Sequence, residues 1–280
     1  MSIGRFPAVP PPSELAWYVF LRLLERWAAR LSEEEMIRRV TRLTAHLAGV
    51  AGRPAQPFMA MGRGLAQTIY FRTHKISILD RLDPPSLSRW ATFRADASRS
   101  PRAIFVSAHL GPFQLQMDIL AGLPHEILFL YRSYSWPPLV ARMDSLRLRH
   151  GRFKYADMRR PRQVIEAMNN GISLAFLGDV IPMALPAQTG SSAKKTSNLF
   201  LYGRPILDDF PVRMAGRAHL PIFVGGIYNH ESTSDREFSR TFGFDFSKVD
   251  PGTPDSANLA YSAAMERAIR NNPADWVRFE

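Results

Sequence analysis

Cysteine is absent from the 280-residue chain, which excludes disulfides, thiolate metal sites and cysteine nucleophiles, and which fits a reducing compartment. No pattern resembles a zinc or calcium site, so no metal is expected. Neither GxGxxG nor GxxxxGK(S/T) occurs, and no nucleotide cofactor is expected either. Apolar runs stop short of the ~18–20 residues that a membrane-spanning helix needs. Met1 to Ser13 is short, proline-rich and weakly charged, unlike a signal peptide. There is no internal repeat, and the leader PAVPPPS is the one low-complexity stretch.

What is present is a foldable, basic chain. Hydrophobic residues make up 46%, enough to bury a sizeable core in one large domain or one domain with a helical extension. Lys and Arg number 36 against 25 Asp and Glu, a net charge of +11 supplied mostly by arginine. That sign attracts polyanions: nucleic acid, an anionic bilayer leaflet, or phosphorylated small molecules. No recognisable nucleic-acid module is visible, so no nucleic-acid partner is expected. The early stretch LAWYVFLRLLERWAARL is broken by Arg22, Glu25 and Arg26 and reads as an amphipathic helix. It suits a membrane interface, or equally the surface of its own domain.

The first hundred residues read as helical. Ser32 followed by Glu33-Glu34-Glu35 is an N-cap with an acidic first turn, opening a helix that stops near Gly52 and Pro54. A second helix is expected from Phe58 to Leu79, before Asp83-Pro84-Pro85, and a shorter one over 86–99. The pattern then changes. Ala103–His109, Glu126–Arg132, Ser173–Asp179, Asn198–Gly203 and Leu220–Tyr228 are short apolar runs bounded by turn residues, as in strands buried on both faces. Helical patterns lie between them: PFQLQMDIL, PLVARMDSLRLRHG, RPRQVIEAMNNG and PVRMAGRAH. EFSRTFGFDF offers an edge strand, and a last helix precedes PADWVRF. The expectation is an α/β fold: a central, largely parallel mixed sheet flanked by helices, with a helical amino-terminal extension. The natural division is 1–100 and 101–280, within one structural unit.

In open α/β sheets functional residues gather at the carboxyl ends of strands. His109, Arg132, Asp179 and Arg204 all follow expected strands on that edge. Asp179 there is equally an ordinary turn cap, and Trp276 and Phe279 read as packing groups.

SAHLGPFQL resembles the histidine block of the lysophospholipid-acyltransferase-like superfamily, and more narrowly that of the lauroyl and myristoyl acyltransferases that finish lipid A. LFLYRSYSWPPL, FLGD, FLYGRPI and the closing AMERAIRNNPADWVRF resemble further blocks of that family, in order and at similar spacing. Together they span roughly Ala103 to the end. The resemblance implies transfer of a fatty acyl group from an acyl carrier protein or coenzyme A thioester to a hydroxyl of a lipid or glycolipid acceptor. It also implies peripheral attachment to the cytoplasmic face of the inner membrane. His109 would be the general base. Arg132, with Arg147 or Arg149, and Arg204 would bind anionic groups of donor or acceptor, with Asp179 at the substrate site.

The family carries Glu or Asp five residues after the histidine, and here that residue is Gln114. An amide cannot stabilise an imidazolium as a carboxylate does; in the serine-protease triad the comparable change costs about 10⁴ in turnover. Three arrangements stay open. Gln114 orients His109 through its carbonyl; or Asp118, on the same helix face, reaches it through a water or a shifted helix; or catalysis is lost and binding of lipid or acyl carrier protein is kept. Between Phe129 and Arg162 stand nine Lys or Arg and two Asp or Glu, a solvated face or a docking surface for an acidic carrier protein or a phosphate-rich membrane. The polar string LPAQTGSSAKKTSN is a connector or a loop over the site.

Overall fold

The sequence signals for starting and stopping helices act where expected at the amino-terminal end. The structure, a computed structural model, describes residues 12–52, 55–131, 135–147, 153–157, 161–179, 200–201, 204–205, 210–230, 241–249, 252–271 and 276. Helices α1 (Pro12–Ala28), α2 (Glu33–Val50), α3 (Ala55–His74) and α4 (Pro84–Ser98) come first. Ser32 caps α2 by accepting the Glu35 N–H at 3.3 Å. Asp83 caps α4 through the Ser86 N–H at 2.5 Å, with prolines in the first turn where no N–H is needed. Helix α3 ends at His74 rather than running on to Leu79, because Lys75 takes a left-handed conformation (φ 56°).

Then follow β1 (Ile104–Ser107), α5 (Gln116–Leu120), β2 (Ile127–Tyr131), α6 (Pro137–Arg147), β3 (Phe153–Asp157), α7 (Pro161–Asn169), β4 (Ser173–Leu177), β5 (Phe200–Leu201), β6 (Arg204–Pro205), α8 (Phe210–Ala218), β7 (Ile222–Asn229), β8 (Phe242–Val249) and α9 (Pro254–Asn271). Among the described residues, six strands form one sheet in the order β3-β2-β4-β1-β7-β8. All neighbours are parallel except β7 and β8, so the fold is α/β with a largely parallel mixed sheet and an antiparallel edge.

Two details depart from the sequence reading. Of the run Asn198–Gly203, the described Phe200–Leu201 pairs with Arg204–Pro205 in a separate two-stranded sheet and, among the described residues, with no strand of the central one. A proline there has no N–H for a second neighbour. The sixth position in the central sheet goes instead to the edge strand β3, which the sequence reading did not anticipate and which pairs parallel with β2 from Ile127–Phe153 to Tyr131–Asp157.

Alternate residues along the strands face opposite layers. Ile104, Val106, Leu174, Phe176, Ile222 and Val224 pack against α7, α8 and α9. Phe105, Ala175, Phe223 and Phe244 pack against α4, α5 and the end of α3, with Phe93 edge-on to Phe105 and Phe223. Phe71, Phe93 and Ala97 belong to that second layer, so no gap in the core separates residues 1–100 from the rest. Helices α1, α2, α3 and α6 share a third apolar cluster built on Leu21, Leu24, Val40, Leu65 and Leu139.

The crossovers set where a site can form. Helix α5, after β1, lies on one face of the sheet, while α8, after β4, lies on the other. β1 and β4 are neighbours whose chains therefore leave in opposite directions. That makes their carboxyl ends a topological switch point, the place where open sheets leave a crevice.

Candidate active site

Register decides which side chains meet in that crevice. Ser107 pairs with Leu177, and the Gly178 N–H donates to the Ser107 carbonyl at 2.7 Å, so β1 and β4 leave the sheet side by side. Two residues further on each chain stand His109 and Asp179. His109 Nδ1 lies 2.8 Å from Asp179 Oδ1. The other carboxylate oxygen, Oδ2, accepts the His109 backbone N–H and the Trp276 indole N–H, each at 2.9 Å. The Asp179 side chain is 1% exposed and that of His109 12%. A carboxylate buried to that degree needs donors, and here three serve its two oxygens. Because the carboxylate only accepts, Nδ1 carries the hydrogen and Nε2 is the basic nitrogen of the neutral ring. Phe113 stands edge-to-face on the imidazole with centroids 4.8 Å apart.

The turn after His109 is fixed by close approach and by uncharged polar pairs. Gly111 has φ 46°, and its carbonyl faces α3 at Gly64. A Cβ at Gly64 would stand 2.2 Å from that oxygen, so no larger residue fits. Gln116 Nε2 donates to Ser107 Oγ at 2.6 Å, the Thr68 hydroxyl to Gln114 Oε1 at 3.3 Å, and Gln67 Nε2 to Asn229 Oδ1 at 2.6 Å. All six side chains are buried. They tie α3 to the ends of β1 and β7 without adding a full charge beside the His–Asp pair.

These contacts correct the expected site. Gln114 does not hold the imidazole at Nδ1, where Asp179 Oδ1 stands; its Oε1 lies 3.3 Å from the Thr68 hydroxyl, whose nearer acceptor is the Gly64 carbonyl at 2.8 Å. Asp118 belongs instead to a buried ion pair with Arg72, at 3.2 Å, with side chains 11% and 10% exposed. The carboxylate at His109 Nδ1 is instead Asp179, just past the neighbouring strand β4. Trp276, expected to pack, also donates a hydrogen bond into the site. Arg132 and Arg149 lie outside the described residues, and so do the side chains of Arg147, which ends α6, and Arg204. Arg204 opens β6 and therefore does not follow a strand of the central sheet. LPAQTGSSAKKTSN also lies outside the described residues.

A second histidine–aspartate contact stands at the exit of β7, next to β1. His230 Nε2 meets Asp83 Oδ2, with side chains 39% and 16% exposed. Burial pushes the Asp83 pKa up, but the Ser86 amide and hydroxyl and His230 outweigh it and hold the carboxyl below its ordinary value.

Elsewhere, a groove of about 270 Å³ lies between α4 and β8, lined by Arg89, Phe93, Asp96, Phe223, Phe246 and Lys248. Phe223 pairs with Phe105 near the start of β1, so this groove opens at the opposite end of the strands from His109. Among the described residues, no group of three His, Asp or Glu side chains is placed to hold a metal ion, and no helix is long and apolar enough to cross a membrane. No protein-family model matches the chain, and no curated protein does either.

Proposed function

We propose that this protein is an acyltransferase that moves a fatty acyl group from an acyl carrier protein or coenzyme A thioester to a hydroxyl of a lipid or glycolipid, as the family resemblance implies. The observation that carries the reading is the His109–Asp179 pair at the switch point between β1 and β4. An imidazole whose Nδ1–H is held by a buried carboxylate is a general base with its tautomer fixed. Nε2 takes the proton of the acceptor hydroxyl, and the oxygen attacks the thioester carbonyl. The tetrahedral intermediate expels the thiolate, which takes the proton back from the imidazolium. Asp179 stabilises the positive ring while it exists. On this reading Gln114 costs the enzyme nothing, since the acid is supplied from β4. Arg132, Arg147, Arg149 and Arg204 remain the proposed contacts for anionic groups of donor or acceptor.

Membrane attachment is proposed through α1. Leu15 and Val19 are 43% and 57% exposed, and Arg22 and Arg26 lie exposed on the same helix. Glu14, beside Leu15, accepts the Ser135 N–H at 3.0 Å and the Trp136 N–H at 2.7 Å, just beyond the exit of β2. The exposed aliphatic residues therefore belong to the catalytic edge of the sheet. There, peripheral docking on the cytoplasmic face of the inner membrane would bring lipid hydroxyls toward His109.

The test is an acyl-transfer assay with carrier-protein and coenzyme A thioesters and glycolipid acceptors, for the full chain and for His109→Ala and Asp179→Asn. Transfer lost in both variants supports the proposal. Thioester-dependent transfer that survives His109→Ala would end it.

A further inference from the structure

From the geometry we infer that Trp276 is a positioning residue for the His–Asp pair: its indole N–H fixes the orientation of the Asp179 carboxylate, and through it the imidazole of His109. The inference rests on the proposed role of His109. It extends that reading to a residue from the end of the chain, outside all the strands.

The Asp179 carboxylate has two oxygens and two tasks. Oδ1 holds His109 Nδ1 at 2.8 Å, and Oδ2 is held by the His109 backbone N–H and the Trp276 indole N–H at 2.9 Å each. Without the indole, Oδ2 keeps one donor among the described residues, and it belongs to the residue being positioned. That lone bond constrains the carboxylate less against rotation about its Cβ–Cγ axis. Trp276 is the anchor that does not move with His109. It is 6% exposed, packs in the apolar layer of α8 and α9, and its backbone bridges antiparallel to Leu110, next to His109. Trp276 thereby lies across the turn that carries the base. Gly178 completes the arrangement, since a Cβ there would meet the Tyr261 hydroxyl at 2.4 Å; only glycine lets β4 set Asp179 that deep.

A purely packing tryptophan and a positioning one differ in what the N–H does. The discriminating change is replacement of Trp276 by benzothienylalanine, which keeps the bicyclic shape and removes only the donor, with Trp276→Phe as a second variant. Two readouts are needed, one of them independent of any substrate. In proton NMR of the full chain, the His109 Nδ1–H resonance identifies the bond to Asp179. In the benzothienyl variant we expect its exchange with solvent to rise at least about tenfold while the melting temperature holds. In the transfer assay, kcat is expected to fall about ten- to a hundredfold with KM within about twofold, the range for one hydrogen bond to a charged group. Unchanged exchange and unchanged kcat in a folded benzothienyl variant would overturn the inference. Faster exchange in a protein with no transfer activity would support it and count against the acyltransferase reading alone.

Discussion

Two histidine–aspartate contacts stand at the exits of neighbouring parallel strands, and they are built for different work. At β1 the acid is Asp179, 1% exposed, whose carboxylate is held by three donors and has no other structural duty in the described residues. At β7 the acid is Asp83, whose first duty is to cap α4 through Ser86, and whose histidine is 39% exposed. One pair uses helix and sheet packing to fix an imidazole; the other uses an imidazole to fix a helix. The same two residue types at the same edge are thus separated by what else the carboxylate touches. Nearness of His to Asp does not by itself make a catalytic pair.

Single substitutions should split the pairs by readout. His109→Ala is expected to lower transfer by about 10²–10⁴-fold, the usual contribution of a positioned base, and Asp179→Asn by a comparable factor. Neither should lower the melting temperature as much as it lowers rate. His230→Ala and Asp83→Ala should do the reverse, leaving kcat within about threefold while Asp83→Ala costs about 1 kcal/mol through the lost cap to the Ser86 N–H. Parallel rate profiles and urea unfolding curves on the four variants measure this. A transfer rate that fell with His230 and not with His109 would exchange the roles of the two sites.

The next effect concerns how the β1 exit is held. Gly64→Ala puts a methyl group 2.2 Å from the Gly111 carbonyl, a backbone atom that cannot swing aside. The expected cost is about 1–3 kcal/mol of stability, with loss of transfer because the turn carrying His109 must shift. Gly49, beside whose Cβ position nothing lies within 4 Å, is the control, and Ala there should be tolerated. Equal melting temperatures for the two variants would show that the α3 approach does not set the site.

Much of the fold could be read directly in the residues, because its signals are local. Ser32 with its acidic turn, Asp83 with its prolines, and the apolar runs around Val106, Leu128, Ala175 and Val224 each predict an element from neighbours along the chain. The edge strand within EFSRTFGFDF followed the same logic. The site was half legible. His109 and Asp179 both stood out as strand-exit residues, yet their contact depends on β4 inserting beside β1, and strand order leaves no local trace. Along the chain, the candidate partners of the histidine are Gln114 and Asp118 on its own segment. Asp118 was out of reach for a physical reason equally hidden in the sequence: Arg72, 46 positions earlier, claims it in a buried pair. Trp276 misled in another way, since an indole shows its apolar body in a hydrophobicity pattern and its single donor only in three dimensions.

Gln114→Glu sharpens the same point with a smaller effect. Were the residue five positions after His109 the natural seat of the acid, a carboxylate there would raise the rate. With Asp179 already on Nδ1, the added charge has no vacant role, and it is buried beside Thr68, where Gln114 is 9% exposed. The expected outcome is no gain in kcat and a melting temperature lower by about 2–4 °C. A clear rate increase would mean that Asp179 does not serve the base.

Acid titration gives the smallest signal and tests the structural histidine and aspartate without any substrate. His125 is buried, with Nε2 3.1 Å from the Ala97 carbonyl and Nδ1 3.0 Å from Ser173 Oγ. Burial lowers its pKa, and the Ala97 bond opposes this only in part. A histidine with a lowered folded value adds stability that is present above its unfolded pKa and is lost as pH falls through the folded one, because the unfolded chain takes up the proton first. Stability should therefore begin to decline below about pH 6.5, the ordinary histidine value. Asp83, also lowered in the folded state, follows the same sign in a more acidic window: its contribution holds above the ordinary carboxylate value of about 4 and disappears as pH drops through its folded value. Unfolding free energy measured from pH 8 to pH 3 should show two descents, and Asp83→Asn should flatten only the second. Were that substitution to leave the acid limb intact, the carboxylate at the β7 exit would not be the stabilising cap that distinguishes it from Asp179.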